Sequence, residues 1–177
     1  RGASVVHCPV SNMYLGSGVA RVRDMLDQGI TVALATDGPG SNNRQDMFEA
    51  CKTAVLLQKV NRLDATVLQP EEVLAMACRN GAHLVDQGDD LGAVEPGRKA
   101  DLVVVDLGSP FVAPVHRVPS ALVYCATPRD VLHVMVDGHL LLRDRRLTRI
   151  DEEAALRRAE EAARRVFSRA GISTRLA

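Results

Sequence analysis

Apolar residues fall into two kinds of run along this chain, and the texture changes near residue 90. Ser4-Val5-Val6-His7-Cys8 is a short β-branched run that Pro9 ends, and Ile30-Thr31-Val32-Ala33-Leu34-Ala35 is a second, without strict alternation. Runs of that length suit strands of a parallel sheet covered on both faces. Between them a loop is expected over Met13 to Gly18. A helix then runs over Val19 to Gln28, with Val19, Val22, Met25 and Leu26 on one face and Gly29 just past its end. Strand, helix, strand is the βαβ pattern of a parallel sheet with a right-handed crossover. Asp46 to Val60 reads as a helix with Phe48, Cys51, Val55 and Leu56 inward, its first free N–H groups satisfied by Asn42 or Asn43. Pro70-Glu71-Glu72 opens another helix that runs to about Asn80-Gly81, with a further short turn over Ala82 to Val85.

Beyond that point turns and short strands dominate. Gly88-Asp89-Asp90 and Glu95-Pro96-Gly97 are turns flanking an extended piece, Leu91 to Val94. Strands are expected over Ala100 to Asp106, Ala121 to Tyr124 and Val131 to Val136. Asp137-Gly138 then signals a hairpin into His139 to Leu142. Asp151 to Ala170, rich in Arg, Glu and Ala with opposite charges at helical spacing, is a terminal helix with a solvated face. The expected organisation is therefore an α/β segment over 1–90, a β-rich segment over 91–150 and a helix within 151–177. Two parallel strands can neither cover two long helices nor close a barrel. The α/β segment thus reads as incomplete, and the rest of its sheet is expected upstream of Arg1, which is not Met.

Composition narrows the classes without choosing among them. Of 177 residues, 46% are apolar, enough for a real core, while 22 basic and 22 acidic side chains cancel. That balance offers neither the basic stripe of a nucleic-acid binder nor a membrane-binding face. No apolar run approaches the roughly 20 residues that span a bilayer. Cys8, Cys51, Cys78 and Cys125 stand far apart, with no Cys-x-x-Cys pair. They read as small buried hydrophobes in a reducing cytoplasm, not as a zinc knuckle or disulfide framework.

The candidate chemistry centres on Asp37. It follows the Ile30–Ala35 strand within Thr36-Asp37-Gly38-Pro39-Gly40-Ser41-Asn42-Asn43, just before a helix. Ligands and catalytic groups gather at the carboxyl ends of strands in α/β sheets. From the residues alone, Asp37 is either such a group or a carboxylate that caps the following helix or fixes the turn. The glycine-rich stretch lacks both phosphate-cradle patterns, Gly-x-x-x-x-Gly-Lys and Gly-x-Gly-x-x-Gly. His83, His116, His133 and His139 have no ligand spacing and read as ordinary core or surface residues.

Four motifs occur in order at ordinary spacing. They are His7-Cys8-Pro9-Val10-Ser11-Asn12; Leu15-Gly16-Ser17-Gly18; Thr36-Asp37-Gly38 with Ser41-Asn42-Asn43; and Leu91-Gly92-Ala93-Val94-Glu95-Pro96-Gly97-Arg98-Lys99-Ala100-Asp101-Leu102-Val103. Together they resemble the amidohydrolase superfamily over nearly the whole chain. The branch is the one holding S-adenosylhomocysteine/5-methylthioadenosine deaminases, guanine deaminase-like enzymes and triazine chlorohydrolases. The resemblance implies a metal-dependent (β/α)8 barrel flanked by a small β-sandwich built from both chain ends. Ser4–Cys8 would be its seventh strand, Ile30–Ala35 its eighth, and the stretch from Leu91 the return into the sandwich.

It further implies that Asp37 binds one divalent metal ion and shuttles protons. Zinc is the default, and iron or manganese would suit the same ligand types. His7 would be a histidine fixing the loop after its strand, not a metal ligand. Ser11 and Asn12 would brace that loop, with Asn12 within reach of substrate. The remaining metal ligands and the acid that protonates the ring have no counterpart here, so a molecule beginning at Arg1 would be catalytically dead. The implied reaction is hydrolysis of a carbon–nitrogen bond other than a peptide bond. An activated water attacks the carbon bearing an amino group, and Asp37 passes its proton to departing ammonia. Thr36-Asp37-Gly38-Pro39 with Ser41-Asn42-Asn43 and Met47-Phe48 looks most like the adenosine-type branch. Guanine-type bases, chloride displacement from a triazine, and a truncated non-catalytic relative are the alternatives. A small-molecule substrate is the expected partner, with no nucleic acid or membrane, and a homo-oligomer is left open.

Overall fold

Val5–His7 (β1) and Val32–Leu34 (β2) pair in parallel, with Val5 opposite Val32 and His7 opposite Leu34. The computed structural model of the chain describes residues 2–172, so the outermost residues of the expected 1–90 and 151–177 segments lie outside the described residues. Parallel pairing needs a crossover. It is made by Pro9–Tyr14 (α1) and Val22–Asp27 (α2). All of β2 is buried, as its unalternating apolar run implies, whereas Val6 in β1 is half exposed.

The expected Met13–Gly18 loop begins later than its composition suggests. Pro9 ends β1 and also opens α1, because a proline's fixed φ and missing N–H are harmless in a helix's first turn. Met13 and Tyr14 are consequently helical, and only the following residues, with Gly16 and Gly18 at positive φ, form the loop.

After β2 comes a single helical turn, Pro39–Asn42 (α3), and then Met47–Arg62 (α4). The cap of α4 corrects the expectation of Asn42 or Asn43. The carboxylate of Asp46 accepts from the backbone N–H groups of Phe48 (2.9 Å) and Glu49 (3.2 Å). Asp46 immediately precedes the helix, and Asn42 belongs to α3 instead. Leu56 is also corrected: it is exposed, while Ala50, Cys51, Ala54, Val55 and Gln58 form the inner face. Gln58 is buried on that face, its Nε2 donating to the carbonyl of Ala20 at 2.9 Å while its Oε1 has no partner among the described residues.

Pro70–Ala77 (α5) and Arg79–Leu84 (α6) follow, α5 opening with a reciprocal Gln69–Glu72 capping box. They pack on β2, and the Asn80 amide donates to the carbonyl of Val32 at 2.8 Å. One core joins Val22, Val32, Leu34, Val55, Leu68, Val73 and Met76 to Val123.

Val123 lies on Val118–Tyr124 (α7), a helix where a strand over Ala121 to Tyr124 was expected. The Val-Tyr content favours a strand locally. Pro119 in the first turn and burial of Ala121 and Val123 against α4 and α5 decide for the helix. Lys59 of α4 donates to the Tyr124 hydroxyl at 2.8 Å and secures the contact.

Leu102–Val105 (β3), Val131–Val136 (β4), His139–Arg143 (β5) and Arg146–Leu147 (β6) form an antiparallel meander in that order. β6 is too short to have shown itself in the sequence pattern. Asp137 and Gly138, both at positive φ, make the expected tight turn between β4 and β5. Leu91 to Val94 forms no strand. It is a loop held against α6, where a Cβ on Gly92 (φ +86°) would lie 2.8 Å from the Cα of Arg79. Arg98 fastens the same loop by donating to the carbonyls of Gly88 (2.6 Å) and Leu91 (3.1 Å). Glu152–Arg169 (α8), capped by Asp151, closes the described chain with no buried residue.

Candidate functional site

Parallel pairing of β1 and β2 brings their carboxyl ends side by side. The amide of Ala35 donates to the carbonyl of His7 at 3.1 Å, which extends the pairing to the residues that lead into the site. From there β1 turns through Cys8 into α1, and β2 runs through Thr36 to Asp37. Asp37 adopts φ +64°, a left-handed conformation that aspartate tolerates better than most residues. Its carboxylate is exposed and anchored from the segment that follows β2 and from α1, which follows β1. Oδ2 accepts from the hydroxyls of Ser11 and Ser41, each at 2.7 Å, and Oδ1 accepts from the backbone N–H of Gly38 at 2.7 Å.

The Ser41 hydroxyl, the Ser11 hydroxyl and the Gly38 N–H, in that order, hold the Asp37 carboxyl below its ordinary range. The groups that act on it are hydroxyls and an amide, with no cationic side chain among them. A carboxylate offers about four lone-pair sites. With two filled on Oδ2 and one on Oδ1, a fourth remains on Oδ1.

The other residues picked out by sequence are engaged differently. Ser11 is buried on α1 and reaches Asp37 directly. His7 is also buried. Burial lowers its pKa, so the imidazole is neutral at physiological pH, and its Nε2 has no hydrogen-bond partner among the described residues. Asn12 contributes backbone bonds, its N–H to the carbonyl of Cys8 (3.0 Å) and its carbonyl to Ser17 N–H (2.9 Å). No side-chain hydrogen bond links it to Asp37 among the described residues. Burial, and then the Asp37 charge, pushes the Cys8 thiol up, leaving it protonated and poorly nucleophilic.

Ser41 is the partner that sequence reasoning missed. Its signal was spacing: Pro39 starts a helical turn, and a residue four after Asp37 returns to lie over it. Asn42 steadies the turn by donating through its side-chain amide to the carbonyl of Thr36 at 2.5 Å.

Whether this rim suits a divalent cation can be judged from its donors. The free capacity on the Oδ1 of an ionised carboxylate suits one bond to a hard or borderline cation. Among the described residues, no three His, Cys, Asp or Glu side chains lie together as a complete metal site. Asp37 therefore fits one coordination position, and the rim supplies no full shell.

In α/β proteins, ligands and catalytic groups gather beyond strand ends of this kind. Comparison with known proteins makes this specific. The amidohydrolase family model matches residues 1–141, and the chain belongs to that family. It is 44% identical over 170 residues to the 5-methylthioadenosine/S-adenosylhomocysteine deaminase of Haloarcula marismortui, covering 96% of this chain and 39% of that protein. It is 43% identical over 169 residues to the 5'-deoxyadenosine deaminase of Methanosarcina mazei, with coverage of 96% and 39%. Among solved structures, an adenosine deaminase from Xanthomonas campestris with bound zinc superposes with a TM-score of 0.92 at 38% identity. That match covers 95% of this chain and 38% of the other. The chain thus spans about two fifths of the length of the relatives it matches. The family read from four sequence motifs is borne out, as is a mixed α/β fold of the amidohydrolase type. No helix among the described residues is long and apolar enough to cross a membrane.

Proposed function

We propose that this chain supplies the closing part of a metal-dependent (β/α)8 barrel and part of a small β-sandwich, in an enzyme that hydrolytically deaminates adenosine-type nucleosides. β1 and β2 would be the last two barrel strands within 1–90, and the meander within 91–150 would belong to the sandwich. The observation that carries the reading is the Asp37 carboxylate beyond β2, ionised, exposed and with Oδ1 free to accept. Support also comes from relatives named as deaminases of adenosine derivatives, which match nearly all of this chain.

Asp37 would occupy one ligand position of a single divalent cation, zinc by preference, since a neighbour sharing 38% identity is described with bound zinc. The chemistry such a cation supplies is a water acidic enough to act as a nucleophile near neutral pH. Asp37 would hold the proton in transit between the attacking water and the departing amino nitrogen. A new carbon–oxygen bond forms at the ring carbon, the carbon–nitrogen bond breaks, and ammonia leaves with the proton. His7, neutral and buried, keeps the end of β1 packed, and Asn12 holds the loop that follows it. The substrate is a small molecule. The four cysteines are free, as suits a reducing cytoplasm, but the expectation that all are buried holds only for Cys51: Cys8 is partly covered, and Cys78 and Cys125 are exposed.

An ammonia-release assay on the enzyme that carries this chain tests the reading. 5-Methylthioadenosine, S-adenosylhomocysteine and adenosine should be turned over at least tenfold more efficiently, in kcat/KM, than guanine, and triazines should not release chloride. Preferred turnover of guanine or a chlorotriazine would overturn the substrate class. Absence of any turnover by the zinc-loaded enzyme would overturn the enzyme reading.

A further inference from the structure

Oδ2 of Asp37 is held by two hydroxyls from two different helical segments, more than a helix cap or a turn requires. Ser11 comes from α1, after β1, and is fixed there: Pro9, Val10 and Ser11 are all buried, and α1 packs on α3 and α4. Ser41 comes from α3, after β2. Each hydroxyl has a single proton to give. For Ser41 the 2.7 Å contact to Oδ2 outcompetes the 3.2 Å contact to the carbonyl of Gly38.

We propose that Ser11 and Ser41 are positioning residues for Asp37, together committing Oδ2 to the protein so that Oδ1 is the oxygen left to receive a cation or a proton. This rests on the reading of Asp37 as a metal- and proton-handling group. Without the hydroxyls the carboxylate turns about its Cβ–Cγ bond and its two oxygens exchange places. With them, that rotation breaks three charge-assisted hydrogen bonds, those from Ser11, Ser41 and Gly38. Partners that orient a ligand in this way commonly change metal affinity or activity by about 10- to 100-fold when removed. The clamp also joins the ends of β1 and β2, so the orientation of the acid depends on their parallel pairing.

The test compares Ser11→Ala, Ser41→Ala, the double variant and Ser41→Thr in the enzyme that carries this chain, with Asp37→Asn as reference. Readouts are kcat and KM per folded molecule, zinc affinity by competition with a chelator, and melting temperature. Each alanine variant should lower kcat and zinc affinity about tenfold, and the double variant kcat by about a hundredfold, with KM within about twofold. Threonine at 41 keeps a hydroxyl and should recover kcat to within about threefold of the unaltered enzyme. A merely structural role would lower the melting temperature and leave kcat and zinc affinity of the folded enzyme unchanged, which would overturn the proposal. If Asp37→Asn is inactive while the double alanine variant works normally, the clamp falls and the reading of Asp37 stands. If Asp37→Asn itself keeps zinc and turnover, both fall.

Discussion

Asp37→Asn is expected to lower turnover by about a thousandfold or more in the enzyme that carries this chain, and to strip most of its zinc. Asparagine is nearly isosteric and also tolerates the left-handed backbone at φ +64°, so the fold should survive. What changes is the chemistry of two atoms. The amide has one accepting oxygen where the carboxylate has two, so either Gly38 or the serine pair loses its acceptor. It also carries no charge to attract a divalent cation and no basic oxygen to take a proton. Loss of general acid–base participation alone typically costs about 10²- to 10⁴-fold, and loss of a ligand adds to it. Steady-state kinetics alongside metal analysis read both effects. A melting temperature close to that of the unaltered protein would confirm that the loss is chemical.

The largest stability effect is expected from Leu68→Ala, about 3 kcal/mol, read by denaturant unfolding. Leu68 is fully buried in the cluster that joins Val32 and Leu34 of β2 to Met76 of α5 and Val123 of α7. Truncating a leucine in such a place removes transfer free energy and leaves a cavity that rigid neighbours cannot fill, with measured costs of about 3–5 kcal/mol. The control is Val60→Ala on the exposed face of α4, which should fall within about 0.5 kcal/mol. Because the Leu68 cluster holds the end of β2 that leads to Asp37, the buried variant should also weaken the site, whereas the exposed one should not.

How much of this was legible in the sequence depended on how local the deciding interaction is. β2, α4, the Asp137-Gly138 turn and α8 announced themselves through runs, periodicity and turn chemistry that act within a few residues. Asp37 was legible too, since a strand end followed by Gly-Pro-Gly is a local pattern. The helix α7 was not, because its β-prone residues are overruled by burial of Ala121 and Val123 against elements some 50 residues away. Leu56 was misread for the same reason: helical periodicity marks an apolar face, but only packing decides which edge of that face is covered. Asp46 displaced Asn42 as the cap of α4 because α3, an extra turn, lies between β2 and that helix. The role of Ser41 also depended on that turn. Hydroxyls carry little sequence signal, and only the three-dimensional return of the chain over Asp37 marks this one.

The most direct measurement is anomalous diffraction at the zinc edge from crystals of the zinc-loaded enzyme that carries this chain. A single peak about 2.1 Å from Asp37 Oδ1, with Oδ2 still held by Ser11 and Ser41, is the result predicted. A zinc peak remote from Asp37, with both of its oxygens engaged only by the protein, would contradict the account.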